Sequence, residues 1–215
     1  MAKTPKTTIN TILDIAQELF GAQGFEHVKM QDIIDKLALR GYTKGAIYHH
    51  FKNKEDILYA ILGRYDEQKE SITEIIYSQI NGRDKLKALI LLHLKHVMGH
   101  RDKICHSLSL LRSSQAVAYK QQQIHTYFAP IVESMIEEGN NDGSLNVAYP
   151  KAASEMLVWG VYIWLDSALY PLSQIDYTYK ARHLRIMCEG VGLSVIDEEI
   201  SAELIEVWRG ISQAQ

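Results

Sequence analysis

The chain is poor in residues that break or cross-link a backbone, with 4 prolines and 2 cysteines in 215 residues. Cys105 and Cys188 lie far apart, and neither belongs to a C-x-x-C pair. A disulfide framework is therefore excluded, and a reducing, cytoplasmic setting is expected. Long apolar runs are missing as well. The longest, Met156 to Leu165, is closed off by Glu155 and Asp166 and falls well short of the roughly 20 residues a bilayer crossing needs. It reads as a buried helix, and no membrane partner is expected. Residues 1–10 hold no apolar stretch, so a secretory leader is not expected either. Nor is there an excess of either charge: 23 Lys+Arg stand against 26 Asp+Glu, a net −3. On its face that balance argues against a dedicated nucleic-acid binder. The apolar share of 47% is enough to build a core.

What the chain has in abundance is apolar residues recurring at intervals of three and four, the period of a helix. Ile9, Ile12, Leu13, Ala16, Leu19 and Phe20 share one helical face, and the stretch closes at Gly21 to Gly24. A second, short helix is expected from about Met30 to Leu39 with Ile33, Ile34 and Leu37 inward, a third from Thr43, and a fourth from Asn53 to about Ile80. Asn53 is a good N-cap followed by acidic Glu55 and Asp56. Longer helices are expected near Arg83 to His100, Lys103 to Arg112, Gln115 to Glu138, Pro150 to Leu169, Asp176 to Val191 and Glu198 to Ser212. The segment GNNDGSLN, Gly139 to Asn146, reads as the clearest loop.

The balanced charge is an average over unlike parts. Residues 1–54 carry a formal +3 and residues 55–215 a formal −6. Within the first part, Lys36 to Lys54 contains Lys36, Arg40, Lys44, Lys52 and Lys54 and no acid. Two short helices joined by a tight turn at Gly41-Tyr42 have the layout of a helix-turn-helix, whose second helix presents its N-terminal residues to base edges. That puts Thr43, Lys44, Gly45 and Ala46 at the floor of a major groove. Small Gly45 and Ala46 let the backbone come close, and Ala46 can touch a thymine methyl. Tyr48, His49 and His50 offer donors for phosphate oxygens, and Lys54 can join the amides of its helix N-terminus on another phosphate. Ile47 and Phe51 would face inward. Composition and period alone leave open a basic surface helix that meets no nucleic acid.

A specific resemblance bears on that choice. The run TKGAIYHHFKNKED (Thr43 to Asp56), preceded by IAQELFGAQGFEHVKMQDII (Ile15 to Ile34), is similar to the DNA-binding domain of the TetR family of bacterial transcriptional repressors. It combines the A-x-x-L-F-x-x-x-G-[FY] end of helix one, the D-I start of helix two and the K-G-x-[ILF]-Y-x-H-F-x-x-K-E core, and covers about the first 60 residues. The resemblance implies base-proximal roles for Thr43, Lys44, Gly45 and Ala46 and phosphate contacts for Tyr48, His49, His50 and Lys54. One departure stands out: Leu37 to Tyr42 makes the connection to helix three about three residues longer than the family pattern, which adds Arg40 as a backbone contact. The resulting expectation is an all-α protein of about nine or ten helices. Residues 1–60 form a three-helix DNA-binding domain and residues 61–215 a larger effector-binding and dimerisation domain.

For that larger part the resemblance implies a homodimer joined through its last helices, a small-molecule effector of unspecified identity, and double-stranded operator DNA as the partner. Tyr177, Ala181, Leu184, Cys188 and Val191 recur at alternating four and three, the spacing of a packed seam, and with Trp159 they are the candidate dimer interface. His93, His96 and His100 share a helical face with Leu86, Leu89, Ile90 and Val97. Imidazoles so placed are hydrogen-bonded core residues, polar lining of a ligand pocket, or metal ligands. With Met98, Tyr127, Met135, Tyr162 and Trp164 they form the candidate effector pocket. Cys105 and His106 lie just downstream. The competing function is a metal-binding helical enzyme or sensor on the histidine face, but no H-E-x-x-H, G-x-S-x-G or paired Glu-x-x-His motif is present to support it. No catalytic residue, cofactor or bound metal is expected.

Overall fold

The computed structural model describes residues 5–63 and 69–213, apart from the side chains at 5, 6, 106 and 109. All regular structure among the described residues is helical. The chain divides into two compact units, Met1–Glu67 with His106–Tyr119, and Gln68–Cys105 with Lys120–Gln215.

In the first unit, α1 (Pro5–Gln23) presents the predicted apolar face and stops where Gly24 takes φ +83°, a conformation that costs glycine little. α2 (Met30–Ala38) starts with the Asp32 carboxylate accepting from the Lys29 amide at 2.7 Å. It ends in a Schellman turn: Tyr42 N–H donates to the Leu37 carbonyl at 3.2 Å, Gly41 N–H to that of Ala38 at 2.9 Å, and Gly41 has φ +78°. The connection from Leu37 to Tyr42 is thus taken up by the last turn of α2 and its cap. α3 (Lys44–His50) is capped by the Thr43 hydroxyl, which accepts from Ala46 N–H at 3.2 Å. α4 (Lys54–Gly63) is capped by Asn53, whose side-chain oxygen accepts from Asp56 N–H at 2.7 Å. Ile12, Phe20, Phe25, Ile33, Leu37, Ile47, Ile57 and Leu58 close one core, with Phe20 and Phe25 ring to ring at 5.0 Å. Leu110 and Ala116 join it from the middle of the sequence.

The second unit is built from α5 (Lys69–Ile76), α6 (Gly82–Gly99), α10 (Ala129–Asp142), α11 (Pro150–Trp159), α12 (Gln174–Gly190) and α13 (Glu198–Ser212). α10 packs on both α6 and α11, and α13 on α6 and α12. After α6 come α7 (Arg101–His106), α8 (Leu108–Leu111) and α9 (Ser114–Gln123), of which α8 and the first part of α9 fall in the first unit.

Several helix boundaries differ from the sequence pattern. The helix expected from Asn53 to Ile80 ends earlier, at Ile76 before a turn, and its stretch at 64–68 lies outside the described residues. Lys103 to Arg112 is two helices, because Leu110 is committed to the first core while the Cys105 thiol donates to the Ile211 carbonyl in the second unit at 3.7 Å. The expected helix at 115–138 contains a π-helical turn, Ile124–Phe128, and α11 runs into a second one, Gly160–Trp164. The expected loop at Gly139 to Asn146 begins later, since α10 continues to Asp142. Its polar residues are used as helix-end ties. Asn140 exchanges two hydrogen bonds with the Val147 backbone, both 2.9 Å, and Asp142 accepts from the amides of Gly82 and Ser144, both at 2.8 Å.

Candidate DNA-binding face and effector cluster

The cap at Thr43 and the inward anchors Ile47 and Phe51 determine which side of α3 faces out. Ile47 is fully buried and Phe51 nearly so, so Arg40, Thr43, Lys44, Gly45, Tyr48 and His49 are exposed, with Ala46 and His50 half-buried. At Gly45 an added Cβ would meet no atom within 4 Å, so the backbone there lies bare to whatever approaches. The Lys44 ammonium is 5.8 Å from the Tyr48 ring centroid, and the His49 and His50 rings are 5.0 Å apart. Eight of the nine residues expected to meet DNA thus sit on or beside one short exposed helix. Lys36, by contrast, is engaged by Glu18 at 2.8 Å, whose carboxyl that contact holds below its ordinary range.

Lys54 is placed differently. Its ammonium donates to the carbonyls of Phe25 at 2.8 Å and Val28 at 3.0 Å, approaches that of Glu26 at 3.5 Å, and lies 4.3 Å from the Phe25 ring centroid. Sequence spacing had no means of showing this, because the carbonyls belong to a connection more than 25 residues away.

In the second unit the eight expected pocket residues separate into groups. His93 stacks on Tyr162, centroids 4.0 Å apart; Tyr162 meets Phe128 at 4.6 Å, and Phe128 meets Tyr127 at 5.1 Å. The two π-helical turns supply these last rings. Burial pushes the His93 imidazole down to about 3, with Lys120 adding to the effect and Asp166 opposing it. Lys120 and Asp166 are themselves hydrogen-bonded. Phe128, Lys120 and Asp166 were invisible to sequence reasoning, since none shares a helical face with His93.

The remaining expected residues lie elsewhere. His96 and His100 pair with each other at 4.2 Å, and the His100 Nδ1 is 3.0 Å from the His96 carbonyl. Met98 packs against Gly210, Met135 is core, and Trp164 lies with His183 and Lys180. A cleft of about 850 Å³ lined by Tyr77, Asn81, Lys85, Ser134, Glu138 and Asp142 contains none of the eight.

Two readings are corrected by this arrangement. Among the described residues no three His, Cys, Asp or Glu side chains are placed to hold a metal ion, and the three histidines divide between two different partners. The metal-enzyme alternative has no support; the His106 side chain falls outside the described residues. The seam of Tyr177, Ala181, Leu184 and Cys188 is buried within the chain's own core, leaving no area for a partner subunit to cover. Seam spacing was present, but it packs α12 onto α11 and α13. Trp159 is half-buried beside His125, and only Val191 of that set is exposed.

The sequence of this first unit matches a known family. Residues 12–61 fit the description of bacterial regulatory proteins of the tetR family. That segment is similar to the DNA-binding part of the tetR family. The chain is 27% identical over 155 residues to the fatty acid metabolism regulator protein of Bacillus subtilis (strain 168), covering 69% of this chain and 76% of that protein. It is 28% identical over 141 residues to the HTH-type transcriptional repressor KstR2 of Rhodococcus jostii (strain RHA1), covering 62% and 65%. A solved transcriptional regulator of the TetR/AcrR family from Thermobifida fusca YX-ER1 superposes with a TM-score of 0.53 at 25% identity, over 92% of this chain and 96% of that one. Through this domain the chain is a DNA-binding transcriptional regulator.

Proposed function

We propose that the chain is a repressor that holds a palindromic operator as a homodimer and releases it when a small molecule occupies its C-terminal helices. The observation that carries this reading is the outer face of α3, where Thr43, Lys44 and Tyr48 surround a glycine with open space above it. A side chain at Gly45 would hold the backbone away from base edges; its absence favours close approach. Thr43 to Ala46 then read bases, while Arg40, Tyr48, His49 and His50 meet phosphates. Two such helices must enter successive major grooves about 34–36 Å apart.

The partner subunit is proposed to cover the outward face of α12, where Ile175, Tyr179, Ile186 and Met187 are exposed. The effector is proposed to enter at the Tyr127, Phe128, Tyr162 and His93 rings. It must bind the DNA-incompetent state more tightly, because equal affinity for both states shifts nothing.

The test is binding of labelled promoter DNA from beside the chain's own gene. Wild type is expected to bind tightly, Lys44→Ala and Tyr48→Ala weakly, and a compound that raises the thermal midpoint of wild type to release the DNA. Undiminished binding by both variants would remove α3 as the reading head.

A further inference from the structure

We infer that Lys54 serves operator binding from within the protein, as the residue that fixes where α2 begins and so how α3 is presented, and makes no phosphate contact of its own. The inference rests on the reading of α3 as the DNA-binding helix. An ammonium has three protons to donate and no acceptor. Here the Phe25 and Val28 carbonyls take two donors at 2.8 and 3.0 Å, the Glu26 carbonyl lies at 3.5 Å, and the Phe25 ring covers the cation at 4.3 Å. Turning Lys54 outward to a phosphate would forfeit these bonds and leave half-buried carbonyls without their donor, a loss on top of uncovering the apolar Phe25 face.

The connection that Lys54 holds is short and has little regular structure to hold it otherwise. Between Gly24 and α2, His27 N–H to the Gly24 carbonyl at 3.2 Å is a backbone turn contact, and Phe25 and Val28 are buried anchors. One residue beyond Val28 the Asp32 carboxylate caps Lys29 and α2 begins. α2 then leads through the Schellman turn at Gly41 directly to Thr43. A shift at Phe25 to Val28 is therefore carried along a rigid helix to the first residue that meets bases. Lys54 lies at the start of α4, so one side chain joins the beginning of α4 to the beginning of α2. Phosphates do not need it, since Arg40 and Lys52 are exposed.

The experiment compares full-length wild type, Lys54→Met and Lys54→Arg on the labelled promoter DNA from 50 to 200 mM salt, well below each variant's thermal midpoint, with Lys44→Ala as a control. Lys54→Met is expected to lose about tenfold or more in affinity with an unchanged dependence of log affinity on log salt. Loss of a phosphate contact would instead flatten that slope by about 0.9. Lys54→Arg keeps the charge but its planar fork cannot address three converging carbonyls, so it is expected to lose affinity at an unchanged slope too, and it decides the matter if Lys54→Met does not fold. Faster hydrogen exchange at residues 25–32 is expected in both. A flattened slope, or an Arg variant equal to wild type, would show a phosphate contact. Unaltered affinity in the folded variants would show a stabilising role alone, and either result overturns the inference. Failure of wild type to bind the promoter would count against α3 itself, separately from Lys54.

Discussion

His93 lies ring to ring with Tyr162, 4.0 Å between centroids, at the point where a π-helical turn brings Tyr162 against α6. The contact holds an imidazole where water would otherwise solvate its cation, and burial together with the Lys120 ammonium drives its proton affinity down to about 3.

From this follows a pH dependence. The unfolded chain gains a proton on His93 near 6.5 whereas the folded chain does not until about 3. The folded state therefore binds fewer protons in that window, and the stability linked to His93 is complete above about pH 6.5 and lost as pH falls toward 3. His93→Phe, which keeps the stacking and removes the titration, is expected to show a shallower fall of thermal midpoint between pH 6.5 and 4 in calorimetry.

Gly82 and Gly45 are expected to respond oppositely to a methyl group. A Cβ on Gly82 would stand 2.2 Å from the Gly139 amide nitrogen and 2.4 Å from the Met135 carbonyl oxygen, both backbone atoms that cannot step aside. Gly82→Ala is expected to lose about 3 kcal/mol or more in urea unfolding. Gly45→Ala, with open space above it, is expected to hold or gain stability, by up to about 1 kcal/mol.

On DNA the order reverses with size. Gly45→Leu is expected to unfold like wild type yet to lose operator binding by a factor of about 100 or more, since its side chain stands where base edges must come. Arg40→Ala, which removes a phosphate contact, is expected to weaken binding and flatten the salt dependence by about 0.9 per site lost. Fluorescence anisotropy across a salt series reads both.

The two faces of α12 separate stability from assembly. Leu184 is 1% exposed and abuts Gly160, so Leu184→Ala is expected to cost about 2–5 kcal/mol of folding free energy. Ile186 is 56% exposed, and Ile186→Glu is expected to leave the protomer's unfolding midpoint near that of wild type while shifting sedimentation from dimer to monomer. A dimer unaffected by that charge would remove this face as the interface.

Local patterns were legible because they act over a few residues. Asn53 caps the helix it precedes, Gly24 and Gly41 take the left-handed turns their positions suggest, and Ile33, Ile34, Leu37 and Ile47 are buried on the faces their spacing marks. α13 begins at Glu198 and ends at Ser212, the bounds its period marks. Period alone did not reveal the π-helical turns at Ile124–Phe128 and Gly160–Trp164, since each admits an extra residue without altering the apolar composition of the helix around it.

The sequence by itself determined that this chain is helical, that its cations gather ahead of residue 55, and that a glycine stands among the outward residues of a short capped helix. These follow from hydrogen-bond period, charge and side-chain size, which each residue carries with it. Which apolar stripe became core, which histidine met which ring, and whether a lysine faced outward were decided only by the tertiary structure. The seam from Tyr177 to Cys188 had the spacing for a partner subunit and was consumed by α11 and α13. Lys54 had the position for a phosphate and turned to three carbonyls. In each case the deciding group came from a distant part of the chain, and its hydrogen bonds and buried area exist only once folding has brought it there.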